Sequence, residues 1–220
     1  MNPPLPHEPN LQTMRIDYDD TLLSEQSIAS DPIEEFRKWL DQAMIHSVNT
    51  ANSMTLATAT AEGKPSARTV LLRDFNEQGY TFYTNYQSRK AHELEANPYA
   101  TLLFFWPEME RQIRIEGTIE KLSWGESNAY FQSRPRQSQI GAWISPQSEM
   151  IHDRETMEKE MLEFEKKHVD KIIPCPSFWG GYRVIPFSYE FWKGRPNRLH
   201  DRILFSYASN QTWQISRLAP

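Results

Sequence analysis

The chain has 220 residues, of which 24 are Lys or Arg and 29 are Asp or Glu, so its formal net charge is −5. A chain of this length is expected to form one domain, with or without appendages. The acidic balance argues against general nucleic-acid affinity, because no basic excess exists to neutralise a phosphate backbone. The single cysteine, Cys175, excludes an internal disulfide and a cysteine-based metal site.

The apolar runs, the N-terminal residues and the histidine spacing argue against three further classes: membrane, secreted and metal-binding proteins. No apolar run approaches the ~20 residues of a membrane-spanning helix. The N-terminal MNPPLPHEPN has neither the charged nor the apolar region of a signal peptide. We therefore expect a cytoplasmic protein, with residues 1–30 forming a mobile, proline-rich arm and residues 31–220 forming the folded domain. The histidines form no HExxH or HxH pair, so we expect no metal site.

A helix and three strands are predicted in the first half of the chain. DPIEEF begins the helix, with Asp31 as N-cap, Pro32 at the first helical position and Glu34 closing a capping box. From Met54 the apolar period changes to two, and the segments on either side of AEGKP predict a hairpin. The tetrad NEQG then leads into a third strand, YTFYTN. Ser88 is the predicted N-cap of a short helix that ends before Pro98.

The second half alternates between strands and helices without a βαβ rhythm. YATLLFFW and ERQIRIEGTIEKL predict strands, Ser123 and Glu126 predict a capping box, and 153–168 predicts a charged amphipathic helix. Three apolar segments close the chain: YRVIPFSYEFW, RLHDRILFSY and TWQISRL. This order indicates a mainly β fold with peripheral helices, built as an antiparallel barrel. There is no GxGxxG, so a Rossmann nucleotide site has no support.

Two cationic clusters lie in the first half of this acidic chain. Arg89 and Lys90 occupy the first turn of the short helix, where free N–H groups and the helix dipole favour a phosphate. The alternative is a pair of solvated surface cations. Arg68 and Arg73 are five residues apart, on opposite faces of a regular strand. They would need two phosphates or a bulge between them, unless both are surface charges.

Two further clusters lie in the second half. Tyr130, Arg134 and Ser138 fall at steps of four, on one side of a helix if Pro135 begins a new turn; isolated polar residues on a helix surface are the alternative. In RPNRLHDR (195–202), an extended backbone would place Arg198, His200 and Arg202 on one face and Asp201 on the other. We infer at least two bound phosphates, and the many aromatic residues favour an organic phosphate cofactor with a flat ring.

Several long motifs resemble those of the pyridoxine/pyridoxamine 5′-phosphate oxidase family. They are SRPRQSQIGAWISPQS (133–148), SFWGGYRV (177–184), FWKGRPNRLHDR (191–202) and the ending RLAP, with RTVLLRDF, FYTNYQSRKAHELEANP and ERQIRIEG in the same order. The resemblance covers about residues 12–220. It implies an FMN-binding split β-barrel homodimer with flavin between the subunits, in which residues 178–220 complete the barrel and the dimer interface.

The resemblance also implies roles for particular residues. FMN contacts are implied for Arg68, Thr69, Val70, Leu71, Leu72, Arg73, Tyr83, Thr84, Arg89, Lys90, Gln112, Gln147, Ser148, Trp192 and Arg202. Of these, Gln147 and Ser148 are expected from the other subunit. Substrate contacts are implied for Arg15, Tyr18, Arg73, Tyr130, Arg134, Ser138, Arg198, Leu199 and His200. Arg73, Tyr130, Arg134 and Ser138 would hold the substrate's phosphate, Arg15 and Tyr18 belong to the arm that covers the site, and Arg198 and His200 are the expected catalytic residues.

The implied reaction oxidises the C4′ alcohol or amine of the phosphorylated pyridine to the aldehyde, pyridoxal 5′-phosphate, in vitamin B6 salvage. O2 is the electron acceptor, and hydrogen peroxide is released, with ammonia from the amine. Two departures from the family pattern stand out: Arg73 replaces the more usual Lys, and NTANSM (49–54) lacks an acidic residue that some members carry. We therefore assign no carboxylate base.

Three alternatives remain open. One is a flavin oxidase of the same fold that acts on another ring, as in phenazine assembly. Another is a non-catalytic module that binds flavin or pyridoxal phosphate. The third is a nucleic-acid binder, which the acidic balance opposes.

Overall fold

The computed structural model describes residues 17–46, 50–207 and 212–220. The helices are α1 (Pro32–His46), α2 (Arg89–Ala96), α3 (Trp124–Ser133), α4 (Arg136–Ile144) and α5 (Arg154–Lys167). The strands are β1 (Ser53–Ala59), β2 (Pro65–Leu71), β3 (Asp74–Asn76), β4 (Gly79–Asn85), β5 (Tyr99–Trp106), β6 (Arg111–Lys121), β7 (Trp179–Lys193), β8 (Asp201–Tyr207) and β9 (Trp213–Arg217). Arg15 lies outside the described residues. No helix in the described part of the chain is long and apolar enough to cross a membrane.

The nine strands found in the described residues form one antiparallel sheet in the order β2-β1-β5-β6-β7-β4-β3, with β8 beside β7 and β9 beside β8. Strand β7 is central to this arrangement. Its first half, from Trp179 to Val184, pairs with β4, and its second half, from Ser188 to Lys193, pairs with β8. The sheet therefore divides along β7 into two lobes, which confirms the predicted mainly β split barrel with peripheral helices.

Side chains of one face of the sheet make the core. Along β1 buried and partly buried residues alternate, as a strand with one covered face requires. Helix α1 covers this face: Phe36 contacts Phe104 edge-on, with 5.0 Å between ring centroids, and Trp39 contacts Phe191 at 5.2 Å. All four rings are at most 3% exposed. Truncating such a ring to Ala typically costs about 3–5 kcal/mol of stability, so the α1–sheet contact is a main source of stability.

Local sequence signals decide most element boundaries. The predicted capping box between Ser123 and Glu126 is confirmed. At the start of α1 the Asp31 carboxylate accepts the Ile33 N–H at 2.8 Å, as an N-cap should. The carboxylate that reaches back to a backbone N–H is that of Glu35, which accepts from Ala29 at 3.0 Å, whereas Glu34 was predicted.

Residues 17–30, the described part of the predicted arm, have no helix or strand but pack against the barrel. Leu23 and Ile28 are each 7% exposed and belong to the core cluster. Arg217 of β9 donates to the Leu23 carbonyl at 3.0 Å. The mobility expected for residues 1–30 stays a prediction.

Two predicted local conformations are wrong. RPNRLHDR is not extended: residues 196–198 form a 3-10 turn, with Asn197 and Arg198 at φ of 57° and 61°, and β8 begins only at Asp201. Strand alternation therefore does not place Arg198 and His200 beside Arg202. The single helix face proposed for Tyr130, Arg134 and Ser138 is also absent, because α3 ends at Ser133 and the extended Arg134 precedes Pro135 and α4.

Candidate functional site

The first cationic group consists of Arg68, Arg89 and Lys90. A buried carboxylate, that of Glu93, holds its two arginines. Arg89 on α2 donates from Nε to Glu93 Oε1 at 2.8 Å, and Arg68 Nη2 on β2 lies 3.4 Å from Glu93 Oε2. Burial raises the pKa of Glu93, but the hydrogen bonds from Ser66, Thr58 and Arg89 outweigh it and bring the pKa to about 2. Glu93 is therefore ionised at neutral pH and holds both guanidiniums in place.

Lys90, the third member of the first cationic group, has a different environment. It is 7% exposed, and its Nζ donates to Thr84 Oγ1 at 3.1 Å, Ser88 Oγ at 3.1 Å and Gln147 Oε1 at 2.8 Å. All three acceptors are neutral. Burial, and after it the positive charge of Arg68, lowers the pKa of Lys90 to about 8. A buried amine with only neutral acceptors would be stabilised by an anion bound next to it.

Gln147 reaches this group from its own chain. Besides Lys90 it meets Thr84, whose hydroxyl donates to Gln147 Oε1 at 3.0 Å. This differs from the expectation that Gln147 assists from a second subunit. The adjacent Ser148 has a φ of 77° and lines a surface cleft together with Arg89.

Three aromatic rings with near-parallel planes form a wall next to this group. The ring centroids of Tyr83 and Tyr130 are 3.8 Å apart, and those of Tyr83 and Trp179 are 5.4 Å apart. Arg73 lies 6.0 Å from the Tyr130 ring centroid, and Arg134 lies 4.6 Å from the Trp179 ring centroid. The structure thus separates the two arginines of RTVLLR: Arg68 joins the Glu93 group, whereas Arg73 joins the aromatic wall.

A cavity of about 240 Å³ adjoins the aromatic wall. Its lining residues are Asn85, Arg134, Ser138, Gly141, Ala142, Ser145, Gln147 and Trp179. Arg134 Nη1 is buried and has no hydrogen-bond partner among the described residues. Burial lowers the pKa of Arg134. Arg134 and Ser138 therefore meet at one cavity although they lie on either side of the α3–α4 break.

The C-terminal residues form a separate group around His200. The His200 ring lies 5.5 Å from Tyr18 and 4.8 Å from Trp192, measured between centroids. Its Nδ1 accepts the Arg195 N–H at 3.1 Å, which leaves Nε2 for a ligand. Burial and the positive charge of Arg198 both lower the pKa of His200, so the imidazole is neutral at physiological pH. Arg198 itself is exposed, as is Leu199.

Strand register aligns three of the predicted flavin contacts. Gln112 on β6 is opposite Trp192 on β7, which in turn is opposite Arg202 on β8. Arg202 Nε donates to Glu190 Oε1 at 2.7 Å, and Arg114 Nη2 donates to Glu190 Oε2 at 2.6 Å. The Glu190 side chain is 5% exposed and therefore gives Arg202, the last residue of this row, a buried partner.

The predicted flavin contacts thus form two groups on each chain. Thr69, Val70 and Leu71 lie on β2, and Leu72 follows directly, whereas Arg202 lies on β8. Tyr83 and Thr84 on β4 are opposite Gly181 and Gly180 at the start of β7, whereas Gln112 and Arg202 are opposite Trp192 near its end. On one chain the two groups therefore lie towards opposite ends of β7.

Three residues in these groups were missed by sequence reasoning. Glu93 had a readable signal, since it follows Arg89 by four residues on a helix. Glu190 and Trp179 had none, because their contacts with Arg202 and Arg134 depend on strand register and on the packing of α3 against β7.

Comparisons with known proteins agree with this geometry. A family model described as pyridoxamine 5′-phosphate oxidase matches residues 40–168, and one described as the pyridoxine 5′-phosphate oxidase C-terminal dimerisation region matches residues 179–220. Curated relatives named pyridoxine/pyridoxamine 5′-phosphate oxidase include one from Nostoc punctiforme, 53% identical over 94% of this chain and 97% of its own. Another, from Rubrobacter xylanophilus, is 49% identical over 96% and 97%.

Two solved structures share the fold. PhzG from Burkholderia lata 383, in complex with tetrahydrophenazine-1-carboxylic acid, has a TM-score of 0.85 and 30% identity, covering 91% of this chain and 98% of its own. A pyridoxamine 5′-phosphate oxidase-related, FMN binding protein from Nostoc punctiforme has a TM-score of 0.68 and 20% identity, covering 88% and 99%. With two family models spanning most of its length and relatives about half identical to it, the chain belongs to the pyridoxamine 5′-phosphate oxidase family.

Proposed function

We propose that this protein is an FMN-dependent oxidase that converts pyridoxine 5′-phosphate or pyridoxamine 5′-phosphate to pyridoxal 5′-phosphate. The electron acceptor is O2, which becomes hydrogen peroxide, and the amine substrate also takes up water and releases ammonia. Family membership supports the reaction class. The observation that carries the proposal is the buried Lys90 ammonium, whose hydrogen-bond acceptors are all neutral and which lies beside Arg68 and Arg89.

The first cationic group fits the phosphate of FMN. Arg68, Arg89 and Lys90 carry three positive charges against the single negative charge of Glu93, so a net charge of about +2 remains for a phosphate dianion. In this proposal Lys90 and the two arginines hold the phosphate, while Thr84 and Gln147 orient Lys90. FMN, when bound, accepts the electrons from the substrate and passes them to O2.

The substrate's phosphate fits a second cationic group, which lies at the cavity beside the aromatic wall. Arg134 brings an N–H that has no partner in the described part of the chain, Ser138 brings a hydroxyl, and Arg73 adds charge from beside Tyr130. Anchoring the phosphate away from the reacting carbon orients C4′ and reduces the entropic cost of the reaction.

The His200 group would act on the pyridine ring. Neutral His200 can donate a hydrogen bond through Nε2, because its Nδ1 already accepts the Arg195 N–H. Arg198 can stabilise negative charge on the phenolic oxygen. Tyr18 packs edge-on against both His200 and Trp192, so it would cover the ring and exclude water. The expected contact of Arg15 with the substrate stays a prediction.

We infer that the enzyme works as a homodimer. A second copy related by a two-fold axis would bring the Gln112–Trp192–Arg202 row of one subunit to the Lys90 group of the other, because on one chain the two groups lie towards opposite ends of β7. Apolar side chains exposed on the same outer face support this, among them Leu71 at 38% and Phe105 at 56%. The family model over residues 179–220 is described as a dimerisation region.

A related oxidase acting on a larger, non-phosphorylated ring is the second candidate, because PhzG has the same fold at a TM-score of 0.85. The cavity at Arg134 favours the phosphorylated substrate. One experiment separates the candidates: pyridoxamine 5′-phosphate is added anaerobically to the FMN-loaded protein, and flavin absorbance is followed. We expect bleaching, then recovery of the colour with peroxide and aldehyde formation in air. A colour unchanged by either B6 phosphate would contradict the proposal.

A further inference from the structure

The resemblance assigns no role to Trp179, yet Trp179 contacts Arg134, one of the residues proposed to hold the substrate's phosphate. Its ring is 6% exposed and lies 4.6 Å from the Arg134 guanidinium carbon. Its backbone is fixed at the start of β7, where it pairs with Asn85, and its N–H donates to the Pro176 carbonyl at 3.1 Å.

Neighbouring rings prevent the indole of Trp179 from turning. Tyr83 lies nearly parallel to it, with 5.4 Å between centroids and 12° between planes. Phe131 meets it edge-on, at 5.2 Å and 70°. Because these contacts come from β4 and α3, the indole is a rigid surface against which Arg134 packs.

The backbone of Arg134 is held as firmly as the ring. At the end of α3, the buried Gln139 side chain donates from Nε2 to the carbonyls of Phe131, Gln132 and Arg134 at 3.1, 3.2 and 3.2 Å. Since backbone and aromatic surface are both fixed, the guanidinium has little freedom between them.

An aromatic partner affects an anion site differently from a carboxylate. Glu93 neutralises part of the charge of Arg89 and uses its N–H groups. The Trp179 ring face attracts the Arg134 cation without taking a hydrogen bond from it. This explains why Arg134 Nη1 is buried and still without a partner among the described residues.

We propose that Trp179 is a positioning residue for the substrate's phosphate. By stacking against Arg134 it holds an unneutralised guanidinium at the 240 Å³ cavity, and it thereby makes the protein select phosphorylated over non-phosphorylated substrates. The inference rests on the proposed function for the identity of the substrate.

The test compares Trp179→Leu with Trp179→Phe in the FMN-loaded protein. For Trp179→Leu we expect kcat/KM for pyridoxine 5′-phosphate to fall about tenfold, equivalent to about 1.4 kcal/mol. Unphosphorylated pyridoxine has no phosphate to meet Arg134, so any kcat/KM measured for it should stay the same. Phe retains a ring face and should restore most of the phosphate preference. Trp143→Leu, which removes a tryptophan of α4 that donates to the Pro174 carbonyl, is the control and should leave both substrates unaffected.

Equilibrium dialysis with inorganic phosphate and with pyridoxal 5′-phosphate gives a readout that needs no turnover. Weaker binding of both to Trp179→Leu supports the inference even if the wild type oxidises neither B6 phosphate, a result that would overturn the proposed function alone. Equal losses for phosphorylated and unphosphorylated substrates, or unchanged phosphate binding, would overturn the inference. If Trp179→Leu does not fold, Arg134→Lys replaces it: the ammonium loses the planar stacking, and the same selective loss is expected.

Discussion

Glu190 accepts a hydrogen bond from Arg202 at 2.7 Å while its other carboxylate oxygen accepts one from Arg114 at 2.6 Å. One buried carboxylate thus joins the three strands β6, β7 and β8 and fixes the Arg202 guanidinium beside Trp192. Because Arg202 is a predicted flavin contact, we expect Glu190 to link the stability of the sheet to binding of the cofactor.

Replacing Glu190 with Ala should lower stability and weaken FMN binding together. Two arginines each lose one partner, and both are partly exposed, so we expect a loss of about 1–3 kcal/mol, below the range for a fully buried pair. Urea unfolding of the apoprotein and flavin fluorescence titration measure the two effects. Glu116→Gln is the matched control, since Glu116 pairs with Arg114 at 3.3 Å in a partly exposed position and should change little. Unchanged FMN affinity in Glu190→Ala would contradict the link.

Lys90 makes FMN binding depend on pH. Its pKa of about 8 in the unliganded protein should rise when a phosphate binds next to it, because the anion favours the charged amine. Above pH 8 binding therefore requires uptake of a proton, and affinity should fall with rising pH, by at most about tenfold per pH unit. Below pH 8 the amine is already charged and this dependence should disappear.

The Lys90→Gln variant should bind FMN more weakly at pH 7 and lose the dependence between pH 8 and 10. Lys121→Gln, at an exposed position near Glu95, should behave like the wild type. Flavin fluorescence titrations at several pH values measure both.

The Lys90 amine also affects the stability of the apoprotein. Since its pKa is below the usual 10.5 of the unfolded chain, the apoprotein should become more stable as pH rises from 8 towards 10.5. A pH dependence that survives in Lys90→Gln would assign the effect to another group.

The sequence was sufficient where a signal is local. The capping box at Ser123 and Glu126, the short helix after Ser88 and the turn at NEQG were all predictable, because each depends on residues within a few positions. The cationic clusters were visible for the same reason, although their separation into two groups required knowledge of where Arg68 and Arg73 point.

The sequence was insufficient where the geometry depends on distant contacts or on unusual dihedrals. RPNRLHDR was taken as extended, but its turn needs positive φ at Asn197 and Arg198, and only the asparagine hints at this. Trp179 and Glu190 each act through a partner brought close by the sheet, so no spacing in the sequence connects them. Pairing between subunits is likewise invisible in a single chain.

Arg217 should control how residues 17–28 are held over the His200 group. Its guanidinium donates to Asp201 Oδ1 at 2.6 Å, to both Glu25 oxygens at 3.0 and 2.8 Å, and to the Leu23 carbonyl at 3.0 Å. In Arg217→Gln we expect faster proteolysis within residues 17–28 and a higher KM, because Tyr18 is no longer held near His200, while FMN stays bound. Arg136→Gln removes a surface arginine of α4 that donates to the carbonyls of His168 and Lys171, and should not change the arm. Loss of FMN in Arg217→Gln would show that the network supports the barrel and not only the arm.

Arg198 is the residue on which the chemical step should depend most. It is exposed at a φ of 61°, next to His200, in a position where its guanidinium can meet the ring of a bound substrate. We expect Arg198→Ala to lower kcat strongly, by about 10²-fold or more, as for removal of one transition-state donor, without loss of FMN. The positive φ offers a sharp control: Arg198→Gly relaxes the backbone while removing the same guanidinium. If both variants lose turnover equally, the guanidinium is the cause. If the glycine variant keeps its activity, the turn at 196–198 matters and the catalytic assignment of Arg198 is wrong. Release of FMN from either variant would place Arg198 in the flavin site.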